Sequence, residues 1–128
     1  MRLALIALSS IVLALCPAGA ARAETLTYTC SYDRYSNEKG VHKVQDPFKL
    51  VFTLDTTREA AQSIGPRGPI NVELLYAPEG GLTFVEAVEG GKVLVTSIDR
   101  SENSVHSRNM ILQGRVSPSQ YYGSCSKR

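Results

Sequence analysis

Leu82-Thr83-Phe84-Val85-Glu86-Ala87-Val88, then Val93-Leu94-Val95-Thr96-Ser97-Ile98, then the run 104–112 make up the stretch on which the fold of this chain turns. Glu89-Gly90-Gly91-Lys92 separates the first two runs, and Asp99-Arg100-Ser101-Glu102-Asn103 separates the second two. Branched and aromatic residues fill the runs, while Gly, Asp, Asn and Ser fill the gaps. Consecutive antiparallel strands joined by hairpins read this way, because tight hairpin turns need the positive φ that glycine supplies.

Outward from that meander the same period continues. Upstream, Leu26, Tyr28, Cys30 and Tyr32 share one phase and Thr25, Thr27, Thr29 and Ser31 the other, which predicts a half-buried strand with its cysteine inward. Phe48, Leu50, Phe52 and Leu54 repeat the pattern, as do Ile70, Val72, Leu74 and Tyr76. Residues 33–47 are polar and broken by Asn37, Gly40 and Pro47, and read as a long, mobile connection with at most a short strand at 41–44. Residues 55–65 admit either a short capped helix or a hairpin entering a weak strand at 60–64. The strand-like neighbours on both sides favour the hairpin. Gly65-Pro66-Arg67-Gly68-Pro69 is a turn with Arg67 at its tip. Downstream, Tyr121 and Tyr122 beside Cys125 predict a segment docked on the body as a last short strand. The sum is an all-β antiparallel up-and-down meander of about 6–8 strands. It closes, or nearly closes, into a small barrel, with a β-sandwich as the competing architecture.

The chain opens on Met1-Arg2, an apolar run over 3–15 and Ala21-Arg22-Ala23, the pattern of a secretory signal peptide cleaved after Ala23. The apolar run is too short to span a bilayer with ease. Lipid attachment at Cys16 is the competing reading, disfavoured by Leu15 where such signals carry a small residue. Cleavage leaves one small domain, 24–128, exported to the periplasm or secreted, with no transmembrane segment expected in it. Removing Arg2 and Arg22 takes the fourteen basic residues to twelve, against twelve acidic ones. A neutral mature chain offers no electrostatic case for nucleic acid or anionic membrane partners. Its two remaining cysteines, Cys30 and Cys125, are expected to form one disulfide in an oxidising compartment, since a redox pair would stand as Cys-x-x-Cys.

Constellations for chemistry are sparse. Two histidines, His42 and His106, without zinc-ligand spacing argue against a metal site, and no cofactor motif is present. Glu86, His106 and Arg108 are the weak polar-site candidates, with Arg108 a candidate partner for Glu86 if that carboxylate faces inward. The favoured reading makes Thr83, Val85 and Ala87 the core face and leaves Glu86 in solvent. A small hydrolase built on His106, with Arg108 and Glu86 or Asp99, would need a nucleophile and an orienting carboxylate beside the imidazole. Tyr35 and His42 in the polar connection, and Arg67, are the candidate binding-loop residues, with Tyr35 the tyrosine expected to be exposed.

The strand ending Tyr28-Thr29-Cys30, the C-terminal cysteine, the leader and the β-rich body resemble the small periplasmic inhibitors of C-type lysozyme. That resemblance implies an eight-stranded barrel stapled by the cysteine pair. The family's inhibitory loop carries Ser-Gly-x-x-Tyr, which this chain lacks, so no inhibitory residue is carried over. The residues together predict a non-catalytic binding or envelope-associated protein, with a protein or envelope component as partner. The enzyme and a lysozyme-inhibitor-like protein without the usual motif are the alternatives.

Overall fold

A computed structural model describes Gly19, Arg22 and residues 24–128. The expected leader and Cys16 lie outside the described residues, those two positions and the adjoining Glu24 apart. Eight strands follow in chain order: β1 (Thr25–Asn37), β2 (Gly40–Asp55), β3 (Ala60–Gly65), β4 (Gly68–Tyr76), β5 (Gly81–Val88), β6 (Lys92–Asp99), β7 (Asn103–Leu112) and β8 (Arg115–Lys127). Each pairs antiparallel with the next, and β8 pairs back onto β1, closing an up-and-down barrel. No helix among the described residues is long and apolar enough to cross a membrane. The barrel, rather than the sandwich, is therefore the architecture, and 60–65 is a strand rather than part of a helix.

The turns explain the order. Leu112 faces Arg115 across Gln113 and Gly114, whose φ values of 51° and 75° make the doubly left-handed turn that matches strand twist. At the β6–β7 turn the Asp99 carboxylate accepts the backbone N–H groups of Ser101 and Asn103 and the Asn103 side-chain amide. The Asn103 amide leads in holding that carboxyl below the usual carboxylate range. Asp55 plays the same part for β2–β3, accepting the N–H groups of Thr57 and Arg58.

Inward residues keep the predicted phase. Tyr28, Cys30 and Tyr32 meet Phe52 and Leu54, then Leu82, Phe84, Ile98 and Cys125. The Phe52 and Phe84 rings stack at 4.3 Å, with Tyr28 edge-on to Phe84. For so small a barrel the sequence predicts an interior filled by alanine, valine, leucine and tyrosine. Phenylalanine and isoleucine take the place of valine, and Thr96, Ser104 and His106 are buried among them. Ser104 donates to the Ser97 carbonyl at 3.0 Å, so its oxygen accepts the Tyr32 hydroxyl at 2.9 Å. Ile70 and Tyr76, assigned to the inward phase of β4, are exposed because they fall at the strand's two ends.

The clearest departure from the sequence reading is 33–47, which is not an irregular connection. β1 and β2 continue through it as a regular hairpin reversing at Asn37↔Gly40. Residues 44–47 bulge out of the ladder against the single residue Asp33, placing Pro47 where no ladder N–H is needed. What looked like breakers in the sequence are one bulge and one two-residue turn. β8 is likewise no short terminal strand but thirteen residues long.

This leaves the two ends of the barrel unlike one another. One end holds both termini and the β2–β3, β4–β5 and β6–β7 turns. The other, here the mouth, holds the four remaining hairpin tips. On one side of the mouth, β1 and β8 stay paired as far as Ser36↔Gln120, and β7–β8 continues to Leu112↔Arg115. On the other side, β3 already turns back at Gly65↔Gly68, and the β4–β5 ladder stops at Glu73↔Val85. The mouth thus has a high wall, β2-β1-β8-β7, and a low rim, β3 to β6.

Candidate functional site

Below the low rim lies a cavity of about 140 Å³ lined by Leu50, Phe52, Ser63, Glu86, Leu94 and His106, among others. That is space for about four or five waters at ~30 Å³ each. A larger hollow of about 470 Å³ runs across the outer wall along the row Thr83, Ser97, Val105, Tyr122 and Arg34. Its Asp99 is already occupied by its own turn, so the inner cavity is the chemically richer of the two.

His106 forms part of the floor. It is 3% exposed, and its Nδ1 lies 2.8 Å from the Thr96 hydroxyl. The rings of Tyr32, Phe48 and Tyr121 surround it at 5.7–6.0 Å. Burial, with the Arg108 guanidinium nearby, pushes its pKa from 6.5 down to about 4, so the ring is neutral near pH 7. The consequence for stability has a definite sign. The unfolded chain takes up a proton near pH 6.5 and the folded one only near pH 4. The stabilising contribution is therefore complete above pH 6.5 and lost as pH falls from 6.5 toward 4. Its size is on the order of 3 kcal/mol. Urea unfolding of the wild type should weaken by that amount between pH 7 and 4, and His106→Asn should flatten that part of the curve. Parallel curves for the two proteins would refute it. The Asp55 and Asp99 carboxyls are held below their ordinary value of 3.8 and so act below this window.

Glu86, Leu94 and Arg108 face one another directly across β5, β6 and β7. Glu86 lines the cavity in the phase of buried Leu82 and Phe84, rather than standing in solvent, yet the candidate ion pair with Arg108 does not form. Glu86 instead accepts the Ser63 hydroxyl at 3.2 Å. Arg108 donates to the Tyr121 hydroxyl at 3.2 Å, lies 3.6 Å from the Met110 sulfur, and stands 5.7 Å from the Tyr121 ring centroid. Among the described residues the only ion pairs are Arg34–Asp33 and Arg58–Asp55. The physical reason is the intervening strand: Leu94 separates the two charges by two strand spacings, about 10 Å.

Tyr35 is not the exposed tyrosine expected. It is half-buried on the high wall, stacked on His42 at 4.9 Å and on Tyr121 at 5.5 Å, with Phe48 5.0 Å beyond Tyr121. His42 donates from Nε2 to the Asn37 amide oxygen at 3.1 Å, fixing the ring against the turn. The fold thus gathers Tyr35, His42 and Arg108 around Tyr121, which also packs on His106 in the cavity floor, while Glu86 lines the cavity from β5. Arg67 remains exposed on the low rim, apart from this group. Phe48, Ser63, Thr96 and Tyr121 were missed. Thr96 and Ser63 carried a legible signal, as polar residues in the inward phase of apolar strands.

His106 has a hydroxyl partner but no carboxylate within hydrogen-bond distance in the side-chain network, which differs from a nucleophile–base–carboxylate relay. Among the described residues no three His, Cys, Asp or Glu side chains gather as a metal-binding group.

Fold and site together define a class: a closed, eight-stranded antiparallel barrel with a Cys30–Cys125 staple and a charged, aromatic cup at one end. No protein-family model matches the chain, nor does any curated protein or solved structure.

Proposed function

We propose that the protein is an exported, non-catalytic binding module of the envelope or the secreted space, and that the cup is its ligand site. The ligand is a small zwitterion, a free amino acid or short peptide, with its cationic group toward Glu86 and its anionic group toward Arg108. One observation carries this reading. Half-buried Glu86 lines the inner cavity, and half-buried Arg108 stands two strands away in the same register row without forming an ion pair with it. Charges withdrawn from water are costly unless compensated, and a ligand with complementary ends compensates both. The aromatic wall adds apolar contact beside them. A neutral His106 turned toward Thr96 supports binding over catalysis.

Calorimetric titration with amino acids and dipeptides, against their amidated or N-acetylated analogues, tests it. Binding should require both charges, and Glu86→Gln and Arg108→Gln should each weaken it about tenfold or more, as loss of a charge-assisted contact predicts. Millimolar zwitterions without effect, affinities unchanged by both substitutions, or turnover of a bound peptide abolished by His106→Asn would each sink the proposal.

A further inference from the structure

Large hydrophobic side chains exposed to solvent are not scattered over this barrel. Among the described residues, all but Leu75 and Tyr76 sit at or beside the four hairpin tips of the mouth. Val41, 73% exposed, is on the β1–β2 tip, and Ile111, Leu112 and Val116, the last 75% exposed, are on the β7–β8 tip. Ile64 and Ile70 flank the β3–β4 turn, and Val93 follows the β5–β6 turn. Every tip also carries a cation, Lys39, Arg115, Arg67 and Lys92 respectively, with Glu38 in the turn of the first and Glu89 in that of the last, so the four tips together are net basic by two. The opposite end has the reverse balance: Glu59, Glu79 and Glu102 lie in its turns beside Arg58 and Arg100, Asp55 and Asp99 enter them, and with Glu24, Lys127 and Arg128 at the termini it is net acidic by two. A chain expected to be neutral once processed is thus polarised along the barrel axis.

We propose that the mouth-end tips dock the protein on an anionic lipid surface. The aliphatic side chains of the two high tips enter the headgroup region, while Lys39, Lys43 and Arg115 lie against lipid phosphates. Aliphatic residues interleaved with cations on the most projecting parts of a fold combine the two attractions that interfacial binding needs, apolar burial and attraction to anionic lipid. A protein partner fits less well. A stable protein interface wants a contiguous patch of about 800 Å² on each side, whereas these residues are divided among separate tips around an open cup. A bilayer accepts separate tips. The docking residues are distinct from Glu86 and Arg108, so this inference and the proposed ligand site succeed or fail separately.

Co-sedimentation of the exported protein with phosphatidylcholine vesicles, with and without phosphatidylglycerol, is the test. Binding should appear only with the anionic lipid and fall as salt rises. Val116→Asp with Ile111→Asp should weaken it about tenfold or more, and Lys39→Gln and Arg115→Gln about fivefold each. Leu75→Asp, at the opposite end and also exposed, should leave it unchanged. All these positions lie on the surface, and circular dichroism will verify that each variant keeps its strands. Absence of binding to anionic vesicles at low salt would overturn the proposal. So would binding indifferent to the aspartate substitutions, equal loss in Leu75→Asp, or a solution dimer that Val116→Asp dissociates.

Discussion

Gly123→Ala should destabilise the protein by about 3 kcal/mol or more, lowering the melting temperature by about 12–24 °C for a domain of this size. Gly123 lies on β8 opposite Tyr32, where β1 and β8 close the barrel and β1 is about to bulge. A Cβ built there would stand 1.9 Å from the Ser31 carbonyl oxygen and 2.8 Å from the Tyr32 Cα. Both neighbours are backbone, so no side chain can swing aside. The strands must part or the bulge must move, and either disturbs Tyr32, one of the most deeply buried side chains. Thermal unfolding followed by circular dichroism checks this. A melting point within about 3 °C of the wild type, under 1 kcal/mol, would show that the seam yields freely and would refute the argument.

The second large effect lies two residues further along the same seam. Cys30 pairs directly with Cys125, and their disulfide closes a loop of sequence separation 95. Chain-entropy models put the stabilisation from so long a loop near 4–5 kcal/mol, and measured bridges more often give about 2–4. Cys30→Ala/Cys125→Ala should therefore lose about 2–4 kcal/mol, plus a smaller cost for the space left by two buried sulfurs. Denaturant midpoints with and without the substitutions measure it, and a loss below about 1 kcal/mol would contradict the long-loop account. The two seam changes should not add. Without the bridge β1 and β8 can draw apart to admit a methyl group, so Gly123→Ala should cost less in the cysteine-free background than in the wild type. Full additivity would mean that the bridge and the glycine act independently.

Both predictions bear on the cup, because the seam holds the high wall together. Tyr35 on β1 and Tyr121 on β8 are direct cross-strand partners and stack on one another. Arg108 takes its bearing from Tyr121. Loosening the seam should therefore disorder the cationic side of the proposed ligand site before it reaches Glu86, which hangs from β5 across the barrel.

Residues near in sequence gave the most reliable readings. The inward phase of Tyr28, Cys30 and Tyr32, the hairpin at Gly65-Pro66-Arg67-Gly68 and the preference for a strand at 60–64 all follow from alternation and turn chemistry. The reading of 33–47 went astray because Asn37, Gly40 and Pro47 are individually strand breakers. Only pairing with β1 shows that they mark one turn and one bulge in a continuous hairpin. Tyr35 was placed in solvent for the same reason. The candidate Glu86–Arg108 ion pair failed on register: Leu94 stands between the two residues.

Period-two patterning by itself determined the apolar side of strands such as 25–32 and 48–54, the inward direction of Cys30 and the reversals at 65–69, 89–92 and 99–103, because each of these is settled within a few bonds. Closure of the sheet, the unequal heights of the two sides of the mouth and the meeting of Glu86 and His106 in one cavity, with Tyr35 and Arg108 gathered on Tyr121 beside it, were decided by the tertiary structure. Those depend on how far each strand slides against its neighbour. That sliding is set by turns, a bulge and the close approach at Gly123, summed around the whole ring.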